Sequence, residues 1–189
     1  MNRSYRLIFS LLSSLLFLPA ITYACGTFEI RGAAFFPAKE EIRERYGNVN
    51  GSYGVEAAID IPWNSSLWIN FDQFSKHSKA NEAYRSQMSL STFSIGLKRS
   101  VCLNDWASAY LGLGVTLSSV YFKQCGDDDW TSKRRGSVGG VVKSGLIVDL
   151  CYDFFIDVFA DYYYQPVRYH HRTSNVGGLR TGAGLGYRF

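Results

Sequence analysis

Four kinds of residue in this chain have types and spacings that suggest chemistry. His170-His171-Arg172-Thr173-Ser174-Asn175 brings imidazoles near a hydroxyl, the beginning of a base and nucleophile pair. Two residues separate His171 from Ser174, and no Asp or Glu follows Ser174 to orient the ring, so the acid of a triad is missing. Asp127-Asp128-Asp129 offers carboxylates to a cation, but consecutive acids lack the alternating ligand spacing of a calcium loop. Lys143-Ser144 has the ending of a phosphate-binding loop, yet Val142 stands where that loop needs Gly. The fourth resource is thiol, at Cys25, Cys102, Cys125 and Cys151. From these stretches we assign no catalytic residue, no cofactor and no metal site.

The elements that carry them repeat with a period of two residues, not 3.6. Leu179, Thr181, Ala183, Leu185, Tyr187 and Phe189 form one face of the last segment, with Arg180, Gly182, Gly184, Gly186 and Arg188 on the other. The same alternation predicts strands near 27–36, 52–61, 66–74, 88–98, 106–118, 138–150, 154–164 and 178–189. In 138–150 the register is least regular, because Val141 and Ile147 share a face with Lys143 and Asp149. Connections 62–65, 99–105 and 151–153 are short, whereas 37–51, 75–87, 119–137 and 165–177 are long and polar. An even set of strands with short turns at one end and long loops at the other is an up-and-down meander, and closing it into an eight-stranded antiparallel barrel removes its edges.

Composition agrees with an exported, folded chain. Of 189 residues, 47% are hydrophobic and 16% aromatic, too many for disorder. Residues 1–24 read as a secretory signal peptide: Arg3 and Arg6, an apolar run too short to span a bilayer, then Thr22-Tyr23-Ala24 before the cut. Cys25 follows, but Thr22 occupies the position where a lipidation site carries an aliphatic residue. The remaining 25–189 form the barrel domain. Removing two of the 20 bases leaves 18 against 16 acids, about +2, which argues against a nucleic-acid partner. No later stretch reaches 18 consecutive apolar residues, so any membrane role must use strands.

Barrels of this size face one of two solvents, and periodicity alone does not choose between them. The polar face combines glycines (Gly112, Gly114, Gly182, Gly184, Gly186) with charges, as a narrow lumen would. Phe28, Phe36, Tyr53, Trp63, Trp106, Phe154, Tyr162, Tyr187 and Phe189 fall near strand ends, where aromatic belts meet membrane interfaces.

The ending Gly182-Ala-Gly-Leu-Gly-Tyr-Arg-Phe189 resembles the C-terminal signature of Gram-negative outer-membrane β-barrels, and the whole mature chain is similar to the small eight-stranded OmpA-type and OmpX-type barrels. The resemblance implies an outer-membrane location. It also implies that Leu185, Tyr187 and Phe189 are read by the barrel-assembly machinery. His170–Asn175 resembles, with altered spacing, the His-x-Ser-Asn of PagL-type lipid A deacylases, which are also eight-stranded barrels.

By register, seven acids (Glu29, Glu56, Asp60, Asp72, Asp149, Asp157, Asp161) and five bases (Arg31, Lys98, Lys143, Arg180, Arg188) point inward. Near-balanced charge in so narrow a lumen favours a plug of ion pairs over an open pore. The long loops face outward and carry Lys39, Arg43, Arg45, Lys76, Lys79, Arg85, Lys133, Arg134, Arg135, Arg168 and Arg172, suited to lipopolysaccharide phosphates or acidic host polymers. Cys102 and Cys151 share the short-turn end with Cys25, while Cys125 lies a barrel height away, beyond disulfide reach. Cys102–Cys151 is the expected pair. The reading is a non-enzymatic integral outer-membrane barrel serving envelope integrity or surface interaction. A lipid A deacylase, a narrow channel and a soluble lipocalin-like carrier are its alternatives.

Overall fold

A computed structural model describes residues 25–40, 43–44, 48–78, 86–125, 130–169 and 172–189, with the side chains of 77–78, 86–88, 122–125, 130–134, 168–169 and 172–174 left aside. Alternating apolar and polar residues cannot bury one face on a helix, so the chain forms strands: β1 (Gly26–Pro37), β2 (Asn50–Ile61), β3 (Ser65–Ser78), β4 (Ser86–Asn104), β5 (Ala107–Cys125), β6 (Trp130–Asp149), β7 (Phe154–Tyr164), β8 (Pro166–Tyr169), β9 (Arg172–Asn175) and β10 (Gly178–Arg188). Eight close in the order β1-β10-β7-β6-β5-β4-β3-β2, and β8 and β9 make a separate hairpin. All barrel pairings are antiparallel. Gly26 and Phe189 exchange both backbone hydrogen bonds at 2.9 Å, so the ends of the domain close the barrel on each other.

Two expectations need correction. Strand β4 runs to Asn104, which shortens the turn expected at 99–105 to residues 105–106. The loops expected at 75–87 and 119–137 are largely ladder: β3 pairs with β4 out to Ser78 and Ser86, and β5 with β6 out to Cys125 and Trp130. A ladder needs backbone partners rather than an apolar face, so pairing continues past the point where outward apolar alternation stops.

The apolar set faces outward. Leu111, Leu113, Val115 and Leu117 on β5 are each more than half exposed, as are Ile30, Tyr53, Leu97 and Leu185 on other strands. In water such a surface would aggregate, whereas in lipid it is the ordinary exterior of a spanning barrel. This arrangement rules out the soluble-carrier alternative, which needs the apolar face inside. At the short turns, Trp63 and Tyr152 adopt left-handed backbone (φ 70° and 59°) and are both 88% exposed.

Candidate functional site

Inward positions along each strand build three tiers in the lumen. The lowest is centred on Arg31 of β1. Its guanidinium contacts Glu29 at 3.2 Å, Glu56 of β2 at 3.2 Å, and Asp157 and Asp161 of β7 at 3.4 and 2.9 Å. It lies 3.5 Å over the ring of Phe159. Glu56 also takes Lys98 of β4 at 2.9 Å and Lys143 of β6, and Lys143 approaches Asp161 at 3.4 Å. Tyr110 of β5 donates to Asp157 at 2.8 Å. Side chains from β1, β2, β4, β5, β6 and β7 thus meet across the bore. Because each charge is desolvated, the network holds only as a set.

Above it, Arg180 of β10 pairs with Asp72 of β3 at 2.6 Å, and Tyr163 donates to the same carboxylate at 2.7 Å. The Arg180 guanidinium stacks 4.2 Å over the Tyr163 ring. The top tier is apolar: Phe35, Phe74, Leu90 and Val120 pack with Val167 and Val176, which flank and enter from the β8–β9 hairpin. That hairpin is tied down where Ser137 donates to the Pro166 carbonyl at 2.6 Å and Gln165 reaches Thr92 at 3.3 Å. Towards the short turns the lumen opens into a cavity of about 680 Å³ lined by Asp60, Ser66, Lys98, Cys102, Asp149 and Arg188.

Of the twelve charges placed inward by register, Glu29, Arg31, Glu56, Asp72, Lys98, Lys143, Asp157, Asp161 and Arg180 are buried. Asp60, Asp149 and Arg188 sit at the turn-end mouth, where Asp60 accepts from Ser66 at 2.7 Å and Arg188 pairs with Asp149 at 3.1 Å, both half-exposed. The inward aromatics Trp68, Tyr110, Phe155, Phe159 and Tyr163 carry much of the filling and are absent from the charge-based reading. The alternation itself marks them: Trp68 shares its face with Ser66, Asn70 and Asp72. Facing glycines make their room, since a Cβ at Gly114 would stand 2.6 Å from the Trp68 ring and one at Gly145 2.7 Å from Tyr110.

The chemistry-bearing stretches are dispersed. Lys143 points into the lumen, while Ser144 points out and donates to the Ala160 carbonyl at 2.8 Å, so the two do not converge on one ligand. His170, His171 and Asp127–Asp129 lie outside the described residues, as do Arg45, Lys79 and Arg85. Among the described residues, no three of His, Cys, Asp and Glu come together to hold a metal ion. Cys25, Cys102 and Cys151 are free, exposed thiols, so the expected Cys102–Cys151 bond is absent. The reason is lateral distance. Cys102 stands opposite Ser108 of β5, and Ser108 opposite Ile147 of β6, placing a whole strand between the two thiols. Two strand spacings are about 10 Å, against roughly 7 Å at most between bridged Cα atoms.

No family model matches this chain, and no curated protein matches it in sequence. Solved structures do match it in fold. Neisserial surface protein A superposes with a TM-score of 0.67 at 15% identity, over 87% of this chain and 97% of that one. The fold is that of the small eight-stranded outer-membrane barrels. OprG of Pseudomonas aeruginosa matches with a TM-score of 0.62 at 15% identity (88% of this chain, 97% of that one). Ail, the attachment invasion locus protein of Yersinia pestis, matches at 0.61 and 16% (88% and 99%). An eight-stranded barrel with an apolar exterior and a filled interior fits an outer-membrane location.

Proposed function

We propose that this chain is a sealed outer-membrane barrel whose working surface is its loop end, where cationic side chains bind anionic polymers such as lipopolysaccharide phosphates or acidic host glycans. One observation carries the reading: the Arg31 network spans the bore and an apolar cap lies above it, which leaves the lumen a structural role. Channel function is correspondingly disfavoured. Lys39, Arg43, Lys76 and Arg135 lie on the segments joining the strands at that end or in the strands leading to it. The fold relative Ail has been solved in complex with the heparin analogue sucrose octasulfate, which supports a polyanion as the class to try first. The proposal extends to residues 1–24 as an export signal and to Leu185, Tyr187 and Phe189 as the strand recognised by the assembly machinery. It includes no catalytic role.

The test is binding of sucrose octasulfate to the mature barrel in detergent micelles across a salt series. Affinity should fall steeply with salt, and replacing Lys39, Arg43, Lys76 and Arg135 together by Gln should lower it at least tenfold while the barrel still resists cold SDS. Unchanged affinity in that variant would sink the proposal.

A further inference from the structure

One charged side chain stands on the lipid-facing wall among the described residues. The outward positions of β4 are Phe93, Ile95, Leu97, Arg99, Val101 and Leu103, and the five apolar ones are 44% to 60% exposed with Arg99 exposed in their midst. Across the ladders Arg99 faces Leu111 of β5 and Ser65 of β3. The Ser65 hydroxyl donates to the Trp63 carbonyl at 3.2 Å and takes no hydrogen bond from Arg99. Of the acids at this end, Asp60 accepts from Ser66 and Asp149 pairs with Arg188, and among the described residues no carboxylate, that of Asp105 on the same hairpin included, pairs with Arg99.

The surroundings sharpen the problem. Above Arg99 the wall is Leu97 and Leu113, with Leu111 beside it; below it the hairpin stays apolar through Val101 and Leu103 to Trp106 at the turn, and on the β3 side Ser65 and the turn at 62–64 lie level with it. Four residues, about 13 Å of strand, separate Arg99 from Leu103, so the guanidinium is set back from the tip of the hairpin. A guanidinium has five N–H donors and no acceptor, and one set between apolar side chains above and below requires oxygen partners.

We propose that Arg99 binds the phosphate of a membrane glycerophospholipid. Leu97, Leu111 and Leu113 take the acyl chains, and Trp106 lies towards the headgroup region. A phosphate diester matches the planar fork of donors in two-point contact. Continuity of the apolar wall on both sides of Arg99 favours a lipid over a water-borne anion. A second copy of the chain is a poorer occupant, because the outward faces of the described residues offer no carboxylate to meet this arginine. The inference rests on the membrane-spanning reading.

Native mass spectrometry of the mature barrel released from micelles doped with phosphatidylethanolamine or phosphatidylglycerol tests it. Wild type and Arg188→Gln, which loses a cation at the turn-end mouth, should retain both phospholipids. Arg99→Gln should retain at least fivefold less, Arg99→Lys an intermediate amount, and diacylglycerol should not be held by any of them. Equal retention by wild type and Arg99→Gln, or diacylglycerol held as well as phospholipid, overturns the site. Each sample is also run boiled and unboiled in SDS. A wild type with no mobility shift would refute the membrane reading itself, an outcome distinct from loss of the lipid site in a barrel that shifts normally.

Discussion

Arg31 and Asp161 are 130 residues apart in the chain and meet at 2.9 Å inside the barrel. Strand β10 lies between their strands, and its Gly184 stands directly opposite Arg31. The Glu29 carboxylate packs against Gly184, where a Cβ would collide with it. The bare β10 backbone thus leaves room for β1 to reach over the seam to β7 and fasten the closure of the first strand on the last from the inside.

Replacing Arg31 by Met should be among the most damaging single changes in the lumen. It strands Glu29, Glu56, Asp157 and Asp161 with only Lys98 and Lys143 to compensate. Breaking a buried ion set by removing one partner costs about 3–5 kcal/mol. The urea midpoint of unfolding from phospholipid vesicles should drop accordingly, and Arg31→Lys, which keeps the charge but not the fork, should fall between. A midpoint unchanged in Arg31→Met would mean that the network is dispensable.

Gly114 provides a second test of the interior. Its missing Cβ leaves space for the Trp68 ring, which Gly96 flanks from the neighbouring strand. Gly114→Val should cost about 1–3 kcal/mol or more by overpacking. Gly51→Ala, at a site with nothing within 4 Å of the added carbon, should be nearly neutral. The same vesicle unfolding assay compares the two directly.

The outline of the barrel was legible because period-two alternation is a local property: each predicted strand needs only its own residues, and 154–164 is found as β7 with the same bounds. Tertiary facts were less accessible. The extension of β4 to Asn104 depends on a partner in β5, and the free state of Cys102 and Cys151 depends on β5 standing between their strands. The inward aromatics are marked by the register, but their part in filling the bore depends on facing glycines of other strands, as Gly114 and Gly96 make room for Trp68. Nothing local in Val167 and Val176 announces that they fold back over the bore, since their partners Phe35 and Leu90 come from β1 and β4.

The thiols give a third prediction. Maleimide should modify Cys25, Cys102 and Cys151 in the folded, unreduced barrel, because all three are exposed and unbonded. Cys102→Ser with Cys151→Ser should change stability by less than about 0.5 kcal/mol, the scale of an ordinary surface substitution. A structural disulfide there would instead be worth about 2–4 kcal/mol. Peptide mapping without reductant that recovered Cys102 joined to Cys151 would contradict the geometry.

The outward face can be probed with a charge where the wall is most apolar. Leu113 is 64% exposed and lies between Leu111 and Val115 on the lipid side of β5. If exposure meant water, Leu113→Lys would be harmless or would help solubility, because a surface position away from special features tolerates change within about 0.5 kcal/mol. If exposure means hydrocarbon, a lysine costs free energy by an amount that rises with its depth, to about 2–4 kcal/mol at the bilayer middle. Folding into phospholipid vesicles should therefore weaken by the amount for its depth, while Thr116→Ser, three residues further along and facing inward, should fold nearly like wild type. Equal folding of Leu113→Lys and wild type would leave the apolar exterior without its solvent.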